Sequence, residues 1–282
     1  MLRTRVISAI VLVLILGTGL YVGGLVWWVL LLFISLVGYR EFCTAIFSGD
    51  EAGELKPEEG VRNPAVPEVM GYVLTILYYV LIMAKPYGIY MLYAMTGSVI
   101  LFMCIFVLLY PRYNSAMIMQ FYFGLLYIPF MISFLYMLRI RDKGIIEVIF
   151  VVISSWICDT FAYFTGRLLG RHRLAPVLSP KKSVEGAIGG AVFSGIFGGL
   201  LAFVIHDSIP IYALVTFIGA IISQFGDLFA SGIKRDKGIK DYGHLIPGHG
   251  GILDRFDSVL FVAPYLYFYI ALVLPKIMCG NI

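Results

Sequence analysis

The chain of 282 residues is too apolar for a soluble protein, because 60% of its residues are hydrophobic, 13% are charged and the mean hydropathy is +0.92. Soluble domains average about 25% charged residues, and several runs here exceed the roughly 18 apolar residues that cross a bilayer. We therefore expect an all-α, polytopic integral membrane protein, and its net charge of only +4 gives no reason to expect a nucleic-acid partner.

The hydropathy pattern predicts about nine transmembrane helices. They lie near residues 6–22, 25–47, 67–84, 88–110, 115–138, 144–166, 184–206, 210–232 and 254–278. The first apolar run lacks a small-x-small cleavage site, so we interpret it as a retained helix and not as a signal peptide. The chain is treated as a single domain, 1–282, in which 1–143 supply the N-terminal helices and 144–282 carry the charged loops.

The positions of Lys and Arg predict that the N-terminus lies in the cytoplasm. With this orientation, sixteen of the 21 basic residues fall on the cytoplasmic side and five on the other side. The cluster at 139–143 is the one segment that fits this orientation poorly. We expect the protein in the inner (cytoplasmic) membrane, with loops 167–183 and 233–253 facing the cytoplasm.

Those two loops flank the seventh and eighth helices and are rich in basic residues. Basic side chains on a Gly-rich backbone favour phosphate binding, although the positive-inside rule or anionic lipid head groups also produce basic loops. Carboxylates at both ends of the second loop favour phosphoryl chemistry over simple lipid docking. The small residues Gly186, Gly190, Ser194 and Gly198 predict close packing of the seventh helix, and we expect a homodimer formed by helix packing.

Three acids stand at the ends of the second loop. Asp227 lies near the cytoplasmic end of the eighth helix, and Asp254 and Asp257 lie three residues apart on one helix face. Their oxygens suit Mg²⁺, which binds one or two carboxylates together with substrate phosphates. Two alternatives remain open: an ion pair between Asp227 and a neighbouring lysine, and an N-cap role for Asp254. Asp159, inside an apolar span, is either a functional acid or a packing acid.

Residues 231–257 resemble the signature of the phosphatidate cytidylyltransferase (CDP-diacylglycerol synthase) family. That signature runs S-x-hydrophobic-K-R, four residues, K-D-x-G, two residues, hydrophobic-P-x-H-G-G-hydrophobic-x-D-R-hydrophobic-D. Here it is filled by Ser231, Ile233, Lys234, Arg235, Lys240, Asp241, Gly243, Ile246, Pro247, His249, Gly250, Gly251, Ile252, Asp254, Arg255, Phe256 and Asp257. The stretch from Asp159 to Gly186 is also similar to this family, whereas the first 140 residues match only in being helical and hydrophobic.

The resemblance implies that CTP and phosphatidic acid react to give CDP-diacylglycerol and pyrophosphate, with Mg²⁺ and with room for a second metal ion. The expected metal ligands are Asp227, Asp254 and Asp257, which with Lys234 and Lys240 form the expected catalytic set. The expected substrate-binding residues are Asp159, Lys181, Lys182, Ser183, Ser231, Arg235, Asp241, His249 and Arg255.

Two other functions are compatible with these residues. A CTP-dependent lipid kinase acting on a polyprenol-type alcohol would use the same phosphate and metal chemistry. An ion-coupled secondary transporter would use Asp159 and Asp227 as membrane-embedded acids. The polar groups cluster at one membrane face and no second half of the chain mirrors them, which argues against the transporter.

Overall fold

The computed structural model describes residues 2–47, 65–84, 89–248 and 250–273. Its helices are α1 (Leu2–Val22), α2 (Gly24–Phe47), α3 (Val66–Ala84), α4 (Ile89–Leu109), α5 (Ser115–Leu125), α6 (Met131–Arg139), α7 (Gly144–Val152), α8 (Cys158–Leu169), α9 (Val184–Val204), α10 (Ile209–Asp236) and α11 (Leu253–Phe268). Three π-helical segments continue α5, α7 and α11, namely Leu126–Phe130, Ile153–Ile157 and Tyr269–Val273. The only strands in these ranges are β1 (Arg173–Ala175) and β2 (Ser179–Ser183), which pair antiparallel.

Within the described ranges, seven helices are long and apolar enough to cross a membrane, and the apolar part of α1 is shorter. The predicted all-α, polytopic membrane fold is therefore confirmed, while the count of nine spans and the orientation of the N-terminus stay predictions. Three predicted spans each contain a π-helical segment, at Leu126–Phe130, at Ile153–Ile157 and at Tyr269–Val273. Pro129 lies in the first of these, where its missing N–H cannot continue an α-helical ladder.

The helices group into two compact units. The first unit contains the residues up to Tyr136 together with Lys237–Asp254, and the second contains Met137–Asp236 with the residues from Arg255 onward. Polar tethers between helices stabilise the first unit in its apolar surroundings. The indole N–H of Trp27 donates to the carbonyl of Leu135 at 3.2 Å, and that of Trp28 donates to the carbonyl of Tyr79 at 2.8 Å.

In the second unit, α9 packs closely against its neighbours through its small residues. A β-carbon at Gly186 would lie 2.7 Å from the carbonyl oxygen of Ala162, and one at Gly190 would lie 2.7 Å from that of Cys158. The hydroxyl of Ser194 donates to the carbonyl of Ile153 at 3.1 Å. The packing predicted for this stripe is confirmed, and the stripe is filled by the chain's own helices.

We expect Gly190→Ala to destabilise the protein, because the added methyl group would meet backbone that cannot move aside. Overpacking of this kind costs about 1–3 kcal/mol. Gly199→Ala on the same helix is the matched control, since its β-carbon would have its nearest neighbours at 3.4 Å. Thermal unfolding in detergent should show a lowered midpoint for Gly190→Ala alone, and equal midpoints for the two variants would contradict this packing.

The 139–143 cluster, which fits the predicted orientation least well, forms the turn between α6 and α7. Two of its cations pair with acids: Arg141 Nε lies 3.0 Å from Glu147 Oε2, and Lys143 Nζ lies 2.8 Å from Asp207 Oδ2. The hydrogen bond from Lys143 lowers the pKa of Asp207. These ion pairs stabilise the turn. They do not change the number of basic residues on each side of the membrane, on which the predicted orientation rests.

Candidate active site

The β1–β2 hairpin brings the basic residues of loop 167–183 to the start of α9. Its register pairs Arg173 with Ser183 and Ala175 with Ser179, so β2 leads directly into the helix. The hydroxyl of Ser183 accepts the N–H of Gly186 at 3.1 Å and so caps α9. The predicted substrate-binding residue Ser183 therefore has a structural contact at the edge of the hairpin.

Glu185, in the first turn of α9, anchors the base of the hairpin. Its carboxylate accepts the backbone N–H of Arg171 at 3.0 Å and that of His172 at 3.2 Å. The ring of His172 lies 2.6 Å from the same carboxylate. The hairpin is thus fixed to α9 at both of its ends, through the contacts of Glu185 with the residues before β1 and through the direct continuation of β2 into the helix. These two connections hold Lys181 and Lys182 in a defined position.

Lys182 forms an ion pair with Asp227 of α10. The structure therefore shows the predicted ion pair between Asp227 and a lysine. The partner, however, lies 45 residues away in sequence and is not a neighbouring lysine of the following loop. Burial lowers the pKa of the Lys182 ammonium, while the carboxylates of Asp159 and Asp257 act in the opposite direction. One cation therefore lies among three acids.

Gly226 allows α10 to approach α11 closely beside Asp227. A β-carbon at Gly226 would lie 2.9 Å from the carbonyl oxygen of Asp257 and 2.9 Å from the ring of Phe261. Asp257 is buried, and its Oδ1 accepts the N–H of Ser258 at 2.7 Å. The close contact places Asp227 and Asp257 at the same level of the second unit.

A cavity of about 440 Å³ opens next to this cluster. Its polar lining comes from Asp159, Tyr163, Arg167, Ser179, Lys181, Lys182, Ser183, Gln224 and Asp227. The side chain of Asp159 is exposed, whereas Gln224 is buried and donates to the carbonyl of Ala187 at 3.1 Å. The volume lies in the range of small-molecule sites, and the mixture of cations and carboxylates suits a phosphorylated ligand.

The remaining predicted residues of the second unit lie on α10 and at the start of α11. Ser231, Lys234 and Arg255 are half-buried, and Arg235 is exposed. Lys234 acts electrostatically on Lys182, and Arg255 acts on Asp159. The second unit therefore brings together Asp159, Lys182, Asp227 and Asp257, with the predicted residues Lys181, Lys234 and Arg255 near them.

In the first unit, the loop that precedes α11 is folded by its own backbone. The N–H of Ile246 donates to the carbonyl of Gly250 at 2.9 Å, and Pro247 and Gly248 occupy the turn between them. Gly248 and Gly250 have φ angles of 77° and 85°, a region that side chains with a β-carbon rarely adopt. The predicted residue His249 lies outside the described residues.

Asp254 is joined to this loop and is the second residue of α11. Its Oδ2 accepts the N–H of Tyr242 at 2.8 Å and that of Gly251 at 3.0 Å. The N-cap alternative for Asp254 is thus wrong, because an N-cap residue precedes the helix, whereas α11 already begins at Leu253 and Asp254 is its second residue. Of the other predicted residues in this loop, Asp241 is half-buried and Lys240 is exposed.

Sequence reasoning missed Glu41, a buried acid of α2. Its carboxylate accepts the N–H of Ile252 at 3.0 Å and that of Leu253 at 2.8 Å. The signal was present, because an ionisable residue inside an apolar span is a functional hypothesis by default. The hydropathy pattern alone, however, marks Glu41 only as part of the second span.

No group of three or more His, Cys, Asp or Glu side chains that could hold a metal ion by itself occurs among the described residues. Mg²⁺ needs no such group, because it commonly binds one or two carboxylates and completes its shell with water and substrate phosphate. Asp227 and Asp257 supply hard oxygen donors of that kind. The donor chemistry fits Mg²⁺, and the predicted set of Asp227, Asp254 and Asp257 stays a prediction.

Comparison with known proteins gives consistent matches. The sequence profile of a family described as "Cytidylyltransferase family" matches residues 3–273. A phosphatidate cytidylyltransferase of Staphylococcus saprophyticus is 42% identical over 137 residues, which cover 48% of this chain and 53% of that protein. Proteins of the same name from Thermotoga maritima and Staphylococcus aureus are 41% identical over 151 residues (51% of this chain, 56% of that protein) and 38% identical over 137 residues (48% and 53%). The chain spans about half the length of the curated relatives it matches.

Proposed function

The chain belongs to the cytidylyltransferase family, and we propose that it transfers the cytidylyl group of CTP to phosphatidic acid. The products are CDP-diacylglycerol and pyrophosphate. The observation that carries this proposal is the cavity of about 440 Å³ lined by Asp159, Lys182 and Asp227. Lys182 pairs with Asp227 there, and the nearby carboxylate of Asp257 also acts on it electrostatically. The relatives are named phosphatidate cytidylyltransferase, which supports the same substrate and reaction.

In the proposed reaction, a phosphate oxygen of phosphatidic acid attacks the α-phosphorus of CTP in line. A new P–O bond forms to the lipid phosphate, the bond between the α-phosphorus and the bridging oxygen breaks, and pyrophosphate leaves with that oxygen. The attacking phosphate is already anionic at neutral pH, so no general base is required. Positioning and charge stabilisation are then the main tasks of the protein.

The cations lining the cavity neutralise the phosphates in this proposal. Of these cations, Lys181 and Lys182 bind the triphosphate. Outside the cavity lining, the predicted role of Lys234 and Lys240 is to stabilise the charge on the leaving pyrophosphate, and that of Arg235 is to assist in binding. Asp159 orients Arg255 and Lys182, while Ser183, Ser231, Asp241 and His249 complete the predicted substrate-binding set. Asp227 and Asp257 would hold Mg²⁺, which when bound neutralises charge on the transferring phosphate. The contacts of Asp254 support a role in ordering the loop, and its role as a third ligand stays a prediction.

We further propose that this cavity opens to the cytoplasm, where CTP is available. The support is the distribution of basic residues, since loops 167–183 and 233–253 hold nine of the 21 Lys and Arg residues. The membrane that we propose is the inner membrane of the cell. Lipid would enter the cavity from the side, and nucleotide would enter from the water.

A homodimer is proposed to form through the lipid-facing groove of α9 and α10. Gly195, Gly199 and Ala213 line this groove, and small residues allow helices of two copies to approach closely. We expect the protein mass measured in a native-like bilayer disc to be twice that of one chain, which is 31.5 kDa. Gly199→Trp should shift the mass to that of one chain, whereas Gly97→Trp on α4, where a β-carbon has no neighbour within 4 Å, should not. A single-chain mass for the unsubstituted protein would contradict the dimer.

The proposed activity is tested with the purified protein, CTP, phosphatidic acid and Mg²⁺. We expect CDP-diacylglycerol and pyrophosphate in equal amounts, each requiring both substrates. No observation favours a lipid kinase or an ion-coupled transporter over this reaction. Absence of CDP-diacylglycerol with every phosphatidic acid tested would contradict the proposal, as would phosphorylation of a polyprenol by CTP or ion-coupled uptake into sealed vesicles without CTP.

A further inference from the structure

The start of α11 has no capping residue of its own. The first N–H groups of a helix need acceptors, which Ser, Thr, Asp or Asn at the N-cap usually provide. Here the helix begins at Leu253 and follows Gly250, Gly251 and Ile252, none of which has a side-chain acceptor. The amides of Ile252 and Leu253 must therefore be satisfied from elsewhere in the chain.

Glu41 satisfies both of them from α2, 211 and 212 residues away in sequence. Oε1 accepts from Ile252 at 3.0 Å and Oε2 accepts from Leu253 at 2.8 Å, with the side chain buried within the first unit. A carboxylate at a helix N-terminus is stabilised by the helix dipole. The two hydrogen bonds account for the presence of an acid at this depth, because a buried carboxylate is costly unless it is bonded.

The loop is also shaped to make room for this carboxylate. A β-carbon at Gly243 would lie 2.5 Å from Glu41 Oε1, and one at Gly251 would lie 2.6 Å from Glu41 Cδ. Real β-carbons essentially never make contacts this short, so a larger residue at either position would force the Glu41 carboxylate to shift away from the amides that it binds. The presence of glycine at these two positions of the signature is thus explained sterically by a side chain of a distant helix, α2.

Asp254 binds two further backbone amides of the same loop. It accepts the N–H groups of Tyr242 and Gly251, and a β-carbon at Gly250 would lie 2.9 Å from its Oδ2. Glu41 and Asp254 together form what we call the carboxylate clamp. Four backbone amides, those of residues 242, 251, 252 and 253, end on these two carboxylates.

We propose that Glu41 is a positioning residue for the reaction, and this proposal rests on the function proposed above. Glu41 is not among the residues that line the cavity; it fixes the end of the preceding loop at Gly251 and Ile252 and the first turn of α11, which carries Asp254. Loss of this acceptor would leave two amides unsatisfied and free the loop to move. A displacement of about 1 Å in a catalytic element can cost about 100-fold in rate.

The first measurement is amide hydrogen exchange of the full-length protein in detergent, without substrate. In Glu41→Ala, the amides of Ile252 and Leu253 should exchange at least about 10-fold faster than in the unsubstituted protein, because each loses its hydrogen bond to a charged acceptor. The amides of Tyr242 and Gly251 should also exchange faster, because Asp254, which accepts them, lies in the turn of α11 that Glu41 holds. Glu41→Gln keeps one carbonyl acceptor, so its exchange rates should lie between those of the unsubstituted protein and those of Glu41→Ala. The matched control is Glu68→Gln, since Glu68 is a buried acid of α3 that accepts from Tyr72 at 2.8 Å.

The second measurement is steady-state kinetics of the same variants. We expect kcat to fall about 100-fold in Glu41→Ala, with partial recovery in Glu41→Gln. The KM for CTP should change much less than kcat, because Lys181 and Lys182 in the cavity are left in place. Gly251→Ala should reduce kcat when made alone, yet add almost nothing to Glu41→Ala, since its methyl group would then occupy vacated space. Additive losses in the double variant would overturn the clamp.

The two measurements separate failure of this inference from failure of the proposed function. If the unsubstituted protein forms no CDP-diacylglycerol, the proposed function fails, and hydrogen exchange still decides whether Glu41 holds the loop. Unchanged protection of residues 242–254 in Glu41→Ala would overturn the positioning role whatever the activity. Faster exchange spread evenly over all helices would also overturn it, because that result would show a general stabilising role.

Discussion

Replacing Asp227 by asparagine is expected to abolish cytidylyl transfer, lowering kcat by about 1,000-fold or more. Asparagine has nearly the same shape but lacks the charge that pairs with Lys182 and that Mg²⁺ would require. Removing a single preorganised electrostatic contact from an enzyme commonly costs about 10²–10³ in kcat, and groups that act directly on a transferring phosphoryl cost more. Steady-state turnover with CTP and phosphatidic acid measures this effect.

The matched control for this variant is Asp236→Asn, at the exposed end of the same helix. It makes the same chemical change about two and a half turns away from the cavity and should keep turnover within about 2-fold, as expected for a surface position. Both variants should unfold at the temperature of the unsubstituted protein. Near-normal turnover in Asp227→Asn would refute the assignment of Asp227 to the reaction.

Replacing Lys182 by methionine is expected to lower kcat/KM by about 1,000-fold. Methionine keeps the length and flexibility of the side chain but removes the cation that faces Asp159, Asp227 and Asp257. The variant loses a charge that neutralises the triphosphate and also leaves the three carboxylates repelling the substrate. A phosphate-directed cation in a phosphoryl-transfer site is typically worth about 10³–10⁵ in rate.

Lys143→Met serves as the control for Lys182→Met, because Lys143 pairs with Asp207 in the turn between α6 and α7 and does not line the cavity. Lys182→Arg should recover part of the activity, since it restores the charge in a different hydrogen-bonding geometry. If Lys182→Met and Lys143→Met had similar kinetics, Lys182 would have no part in binding the triphosphate.

The sequence was sufficient to predict the helices and most of the acids of the proposed site. Long apolar runs in lipid must be helical, because no water is present to satisfy the backbone, so hydropathy alone located the spans. The cost of an acid in such a run identified Asp159 and Asp227 as functional candidates. The short hairpin from Arg173 to Ser183 was not predicted, because its strands are only three and five residues long and lack an alternating pattern.

What the sequence could not predict were partnerships between residues far apart in the chain. Lys182 and Asp227 are separated by 45 residues, and Glu41 and Leu253 by 212. Local periodicity has no information about such pairs, whereas the fold makes each of them a direct contact. Glu41 also gives Gly243 and Gly251 a steric role, because a β-carbon at either position would displace its carboxylate, whereas sequence reasoning explained these glycines only as flexible backbone.

The most direct test of the proposed reaction follows the fate of each CTP phosphate. Purified protein is incubated with phosphatidic acid, Mg²⁺ and CTP labelled either at the α-phosphate or at the γ-phosphate, and the lipid and aqueous phases are then separated. We predict that the α-label enters the lipid as CDP-diacylglycerol and that the γ-label is released as pyrophosphate. Transfer of the γ-label to lipid, or of neither label, would contradict the account.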